Sequence, residues 1–135
     1  MQKPKSRYKN VMLVDDNEID NMINQKMLES VNFAEQYYVH TSGQSALDFL
    51  ENLVKRESAA ELLPDMILLD INMPLIDGFQ FLDEFAELDI KIKTDIDVFM
   101  LTTSINPSDK ERAEGNALIT KFLIKPLTLD QLKEL

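Results

Sequence analysis

The sequence predicts an α/β fold, a doubly wound five-stranded parallel sheet built from alternating strand and helix units. Five apolar runs end in polar or turn-forming residues, and segments with helical spacing or helix caps separate them; the runs cover residues 11–14, 37–39, 66–69, 98–101 and 118–124. Parallel strands need crossover connections, which are almost always right-handed. With 135 residues, the chain is long enough for one domain with a substantial core.

Composition narrows the possible classes of protein. The chain has no cysteine, which excludes disulfides and thiolate metal sites, and no apolar run approaches membrane-spanning length. We therefore expect a cytoplasmic protein without membrane insertion. The net charge is −10, although residues 1–8 are basic. We interpret residues 1–8 as an N-terminal tail and residues 9–135 as the folded domain. This acidity argues against direct binding of nucleic acid, which relies on basic side chains.

The chain is organised around the segment 64–78. Its apolar run is bounded by Pro64 and Asp70, a pattern typical of a strand buried on both faces at the centre of a parallel sheet. Asp70 then falls at the carboxyl end of that strand, where open α/β sheets bind their ligands. Asn72, Pro74 and Gly78 follow as turn formers and lead the chain into the next helix.

Helix signals fill the intervals between the strands. The apolar spacing of Ile19, Met22, Ile23, Met27 and Val31 predicts the first helix. Expected N-caps for four of the helices are Asp16 or Asn17, Ser42, Asn106 and Thr128. We expect the fourth helix to end near Gly115 and the last helix to be short.

Four strands end in residues that could act together. These residues are Asp15 with Asp16, Asp70, Thr102 and Lys125. Clustered carboxylates repel one another, and a hard cation such as Mg²⁺ with oxygen ligands relieves that repulsion. A lysine and a hydroxyl at the same edge suit an incoming phosphoryl group, so the set predicts phosphoryl chemistry on a carboxylate.

These segments resemble the receiver domains of two-component response regulators. The matching stretches are 14–17, 69–74 with 77–78, 101–103 and 124–127. The resemblance implies the flavodoxin-like receiver fold, and a phosphoryl group transferred to Asp70 from a histidine kinase or a phosphotransfer protein. It also implies Mg²⁺ bound by Asp15, Asp16, Asp70 and the backbone carbonyl of Asn72, with Thr102 and Lys125 contacting the phosphoryl group.

The resemblance further implies a signalling domain rather than an enzyme, with an unidentified downstream protein as its target. Thr102 and Phe122 match the switch positions of the family, and the Lys125–Pro126 bond is expected to be cis. Asn72 and Ser104 lie two residues beyond Asp70 and Thr102, where their side chains could tune dephosphorylation.

Three other classes of protein are possible for this fold, and the residues argue against each. A phosphatase with an aspartyl nucleophile typically carries a second aspartate as general acid at the position of Asn72, whose amide cannot replace it. A flavin site would need donors where Asp15, Asp16, Asn17 and Glu18 would repel the phosphate, and no Gly-x-Gly loop exists for a dinucleotide. The chain could also be a receiver excised from a larger regulator or hybrid kinase. His40, the sole histidine, is expected to be structural.

Overall fold

The computed structural model describes residues 6–56, 61–88, 96–103 and 106–134. Within them the strands are β1 (Tyr8–Val14), β2 (Ala34–His40), β3 (Met66–Asp70), β4 (Asp97–Thr102) and β5 (Lys121–Ile124). The helices are α1 (Glu18–Ser30), α2 (Gly43–Val54), α3 (Gly78–Phe85), α4 (Pro107–Glu114) and α5 (Leu129–Lys133). Ser104, one of the two residues predicted to tune dephosphorylation, lies outside the described residues. The tail boundary predicted after residue 8 falls one residue inside β1.

All five strands are parallel in the order β2-β1-β3-β4-β5, which confirms the predicted fold class. The order places β3 at the centre, and all five of its residues are buried. That burial explains the unbroken apolar run of its sequence, because both faces of the strand are covered.

The core has two layers, one on each face of the sheet. One layer includes Met12 and Val14 of β1 and packs against α2 and α3 through residues such as Leu50 and Phe81. The other layer includes the alternate residues of β1 and packs against Leu28 of α1 and Leu132 of α5; its members are Val11, Leu13, Leu28, Leu127 and Leu132, among others. Successive side chains of a strand point to opposite faces, so a single strand contributes to both layers.

Helix α1 buries a face that its apolar spacing does not predict. Ile19, Met22 and Ile23 are 61%, 50% and 51% exposed, whereas Asn21, Asn24 and Leu28 are buried. The Asn21 Nδ2 group donates to the backbone oxygens of Asp15 and His40 at 2.9 and 3.2 Å. These bonds join the ends of β1 and β2 to the helix, and they explain why an amide rather than an aliphatic side chain faces the sheet.

The fifth strand is shorter than the predicted run at 118–124, because it begins at Lys121. Asn116 starts a turn instead: its Oδ1 accepts from the Leu118 amide at 2.9 Å and its backbone oxygen accepts from the Ile119 amide. Asparagine readily forms such local bonds, so the apolar residues after it pack on the core without joining the sheet.

Where the amino ends of the strands meet, a partly buried hydrogen bond joins β1 to β4. The Tyr8 hydroxyl donates to Asp97 Oδ2 at 2.7 Å. Burial, this bond and the charge of Asp97 together raise the pKa of Tyr8 to about 12. The phenol therefore stays protonated in the folded protein at pH values where the unfolded chain ionises it.

We expect stability to fall as the pH rises from 10 to about 12, because the unfolded state then loses the Tyr8 proton first. Below that window both states keep the proton, so this contribution is constant. Tyr8→Phe should make the alkaline decline of the urea midpoint less steep. The measurement is a series of urea unfolding curves across this range, with Tyr38→Phe as a comparison whose pKa is also raised by burial. A constant difference between wild type and Tyr8→Phe would contradict the assignment.

Candidate functional site

The carboxyl ends of four strands bring the predicted side chains to one edge of the sheet. Asp70 and Thr102 are the last residues of β3 and β4, while Asp15 and Lys125 follow β1 and β5 directly. Asp15, Asp70 and Thr102 are buried. The alternation of strands and helices thus places residues that are distant in sequence at one site, as the fold class predicts.

Three carboxylates form a group that could hold a cation. Asp15, Asp16 and Asp70 each offer one oxygen, and these oxygens all lie within 4.8 Å of one another. Asp16 is exposed, so the group opens to solvent. Hard oxygen donors beside open solvent fit Mg²⁺, which retains several waters when bound to proteins. The three side chains are therefore the residues that would hold such an ion.

The Asp15 carboxylate is fixed by local structure as well as by the sheet. Its Oδ1 accepts from the Asn17 amide at 2.9 Å, and its backbone amide donates to His40 O at 3.1 Å. Asn17 then caps α1 by accepting from the amides of Ile19 and Asp20. Between the two predicted caps, Asn17 is therefore the residue used, which leaves the Asp16 carboxylate unengaged by the helix.

Lys125 reaches into the carboxylate group from β5. Its Nζ lies 2.7 Å from Asp15 Oδ2, 3.1 Å from Asp20 Oδ2 and 3.5 Å from Asp70 Oδ1. Burial alone would lower the pKa of Lys125, but the bond to Asp15 and the charges of Asp70 and Asp15 outweigh it and raise the pKa. The ammonium is thus a permanent positive charge in the site. The Lys125–Pro126 peptide bond is cis, as the resemblance implied.

The surroundings of the Asp70 carboxyl disfavour its charged form. Burial, followed by the neighbouring charge of Asp15, raises its pKa to about 6, while Lys125 and the backbone amide of Asn72 act in the opposite direction. A cation or another positive group near Asp70 would favour its charged form. The site is therefore arranged so that charge on Asp70 depends on what binds beside it.

The loop after β3 packs closely on Asp70 because of Gly78. The Gly78 amide donates to Ile71 O at 2.8 Å, and a Cβ at this position would lie only 2.8 Å from the backbone oxygen of Asp70. Asp77 caps α3 and forms a capping box with Gln80, which fixes where the loop ends. Asn72 lies in this loop with its side chain exposed.

Thr102 and Phe122 lie on one face of the sheet. The register pairs Thr102 with Ile124 and Met100 with Phe122, so the threonine and the aromatic ring are diagonal neighbours. Thr102 is completely buried and Phe122 is partly buried. This arrangement is compatible with the predicted switch, whose operation stays a prediction. Ser104 cannot be placed, since it lies outside the described residues.

Asp20 is a member of the site that the sequence did not predict. It lies in the first turn of α1, five residues after Asp15, where the helix dipole alone is sufficient to explain an acidic residue. The sequence signal that could have identified Asp20 is its position in the first helical turn after the Asp15–Asp16 pair, which places its carboxylate near theirs. Its partner Lys125 is 105 residues away, which no local pattern reveals.

The fold and these side chains together define a class: an α/β protein with an acidic and lysine-containing site at the carboxyl edge of a parallel sheet. The profile of the family described as the response regulator receiver domain matches residues 11–135. The chain belongs to this family.

Known proteins support the assignment. A two-component response regulator from Cytophaga hutchinsonii shares the fold with a TM-score of 0.85 and 31% identity, over 95% of this chain and 93% of that one. The chain is 32% identical over 123 residues to the probable methanogenesis regulatory protein FilR2 of Methanothrix harundinacea, covering 91% of this chain and 76% of that protein. It is also 32% identical to the response regulator Rcp1 of Synechocystis, over 73% of this chain and 65% of Rcp1.

None of the helices in the described parts of the chain is long and apolar enough to cross a membrane.

Proposed function

We propose that this protein is a cytoplasmic response regulator receiver that takes a phosphoryl group onto Asp70 in a reaction dependent on Mg²⁺. The donor is a phosphohistidine on a histidine kinase or phosphotransfer protein. The observation that carries the proposal is the position of Asp70, which is buried at the end of the central strand, 3.5 Å from Lys125 and within the cluster of three carboxylates.

The transfer uses a carboxylate oxygen of Asp70 as the nucleophile. The oxygen forms a bond to phosphorus as the bond from phosphorus to the donor nitrogen breaks, and the leaving imidazole takes up a proton. Asp15 and Asp16 would hold Mg²⁺ together with Asp70 and the backbone carbonyl of Asn72, and the ion would supply positive charge beside the phosphoryl group. Lys125 supplies a further positive charge at the same oxygens, with the hydroxyl of Thr102 as a donor.

The second candidate function is that of a phosphatase, and the residues of the loop after Asp70 argue against this function. Such an enzyme needs a general acid beside the nucleophile, whereas Asn72 carries an amide that does not supply a proton. We therefore propose signalling rather than turnover as the function. Asn72 and Ser104 would instead set how long the phosphoryl group persists.

The proposed output is an altered protein–protein interaction, without direct binding of nucleic acid. Phe122 borders a surface groove of about 430 Å³ between α4 and β5, lined also by Asn106, Pro107, Lys110 and Ile124. If a movement of Thr102 shifts the Phe122 ring, the shape of this groove changes. A downstream protein that binds the groove would then bind the two states with different affinity.

The function is tested by incubating the protein with a small phosphodonor such as acetyl phosphate. We expect intact-mass spectrometry to show the gain of one phosphoryl group in the presence of Mg²⁺ and none with a chelator. A peptide map should locate the group within residues 64–78. Labelling at full rate without a divalent cation, or on another segment, would refute the proposal.

A further inference from the structure

Lys125 is bound by a carboxylate outside the proposed metal cluster. In the described part of the chain its ammonium pairs with Asp15, Asp20 and Asp70, at 2.7, 3.1 and 3.5 Å. Asp20 is thus closer to the ammonium than the proposed phosphoacceptor is. Unlike Asp15 and Asp70, it is not a member of the carboxylate group that could hold a cation.

We propose that Asp20 is a positioning residue that holds Lys125 at the rim of the site, promoting Mg²⁺ binding and restraining the engagement of Lys125 with an anion on Asp70. The inference rests on the proposed function and adds a regulatory residue to it.

The position of Asp20 is well fixed. Its backbone amide donates to the N-cap Asn17 Oδ1 at 3.1 Å, and it lies in the first turn of α1, where the helix dipole favours a negative charge. Its side chain is 37% exposed, whereas that of Lys125 is 12% exposed. The pair therefore lies at the boundary between the buried site and solvent.

Mg²⁺ and Lys125 would compete for the carboxylates of Asp15 and Asp70, because both residues belong to the group that could hold a cation and both contact the ammonium. A cation bound by these carboxylates displaces the ammonium from them, at least in part. Asp20 offers the ammonium a carboxylate that the cation does not use. Without Asp20, Lys125 would bind Asp15 and Asp70 more fully, and Mg²⁺ binding would weaken.

An anion on Asp70 reverses the effect of Asp20. A phosphoryl group or a mimic attracts the Lys125 ammonium, and Asp20 competes for that ammonium while repelling the anion. Removing the Asp20 charge should therefore strengthen binding of the mimic once Mg²⁺ is saturating. The opposite signs of the two effects distinguish a positioning role from a structural role, which would weaken both.

The test compares wild type with Asp20→Asn. Because the chain has no tryptophan, Mg²⁺ binding is measured by calorimetry, and fluoroberyllate binding at saturating Mg²⁺ is measured by fluorine NMR. For a partly exposed ion pair we expect Mg²⁺ affinity to fall roughly threefold and fluoroberyllate affinity to rise roughly threefold. Unchanged affinities, or a parallel loss of both, would overturn the role of Asp20.

Glu18→Gln is the matched control, because it removes the same charge from the same helical turn at an exposed position. It should change both affinities less than Asp20→Asn, and an equal change would assign the effect to general charge and overturn the inference.

In a Lys125→Met background, Asp20→Asn should lose most of its effect on Mg²⁺ affinity, because the two residues act through one contact. If its full effect persisted there, the mechanism would also be overturned.

Failure of the proposed function gives a different result from failure of this inference. Wild type that binds no fluoroberyllate with Mg²⁺ would refute the function and the role of Asp20 together. Normal binding by wild type, combined with wild-type affinities in Asp20→Asn, would refute only the role of Asp20.

Discussion

Asp70→Asn should reduce labelling by acetyl phosphate to background in the presence of Mg²⁺. The amide keeps the shape of the side chain but has no anionic oxygen to attack phosphorus, and it removes one of the proposed oxygen ligands of the cation. The rate is followed by intact-mass spectrometry over time. Labelling of Asp70→Asn at the wild-type rate would show that another residue is the acceptor.

Two comparisons separate this effect from unfolding. Asp83→Asn changes an exposed aspartate on α3 in the same way and should be labelled at the wild-type rate. The free energy of unfolding of Asp70→Asn, measured with a chelator present, should equal or exceed that of wild type, because one of three clustered carboxylates is neutralised. A destabilised Asp70→Asn protein would mean that lost labelling reflects lost structure.

Gly78→Ala should strongly destabilise the junction between the loop after β3 and α3. The new Cβ would lie 2.8 Å from Asp70 O, 3.0 Å from Ile71 Cα and 3.1 Å from the Met100 side chain. Two of these neighbours are backbone atoms, so the loop or the strand must shift. We expect a loss of about 2–3 kcal/mol in the free energy of unfolding, the usual scale of overpacking, measured by urea denaturation.

Gly115→Ala provides the matched control within the same chain. Gly115 ends α4 with a φ of −82°, and its Cβ would meet its nearest neighbour at 3.4 Å. Alanine adopts this backbone conformation without strain, so the change should be neutral or stabilising by up to about 1 kcal/mol. Gly78→Ala should also slow labelling, since the shift moves the backbone of Asp70. Equal stability of the two variants would contradict the close approach at Gly78.

The parts of the site that follow strand ends could be predicted from the sequence. Asp70 and Asp15 each end or follow a short apolar run, and this local pattern locates a strand terminus without any knowledge of its neighbours. The handedness and crossover rules of parallel sheets then bring such termini to one edge. Lys125 follows by the same logic, and the described positions of all three agree with it.

Helix α1 shows where this reasoning is insufficient. Its apolar spacing predicts a helix and the helix is present, but Ile19, Met22 and Ile23 are exposed while Asn21 is buried. The buried amide donates to two backbone oxygens at the strand ends, and these bonds form only when β1, β2 and α1 meet. No property of the helix sequence by itself contains this information.

The sequence by itself determined the order of strands and helices, the position of Asp70 at the end of the central strand, and the carboxylates and lysine at the same edge of the sheet. Strand ends follow from short-range patterning, and the crossover rules of parallel sheets bring those ends to one edge. The tertiary structure alone decided which face of α1 is buried, why Gly78 must be glycine, and that Asp20 shares Lys125 with Asp15 and Asp70. These features depend on distances between segments far apart in the chain, and such distances are set by packing rather than by local propensity.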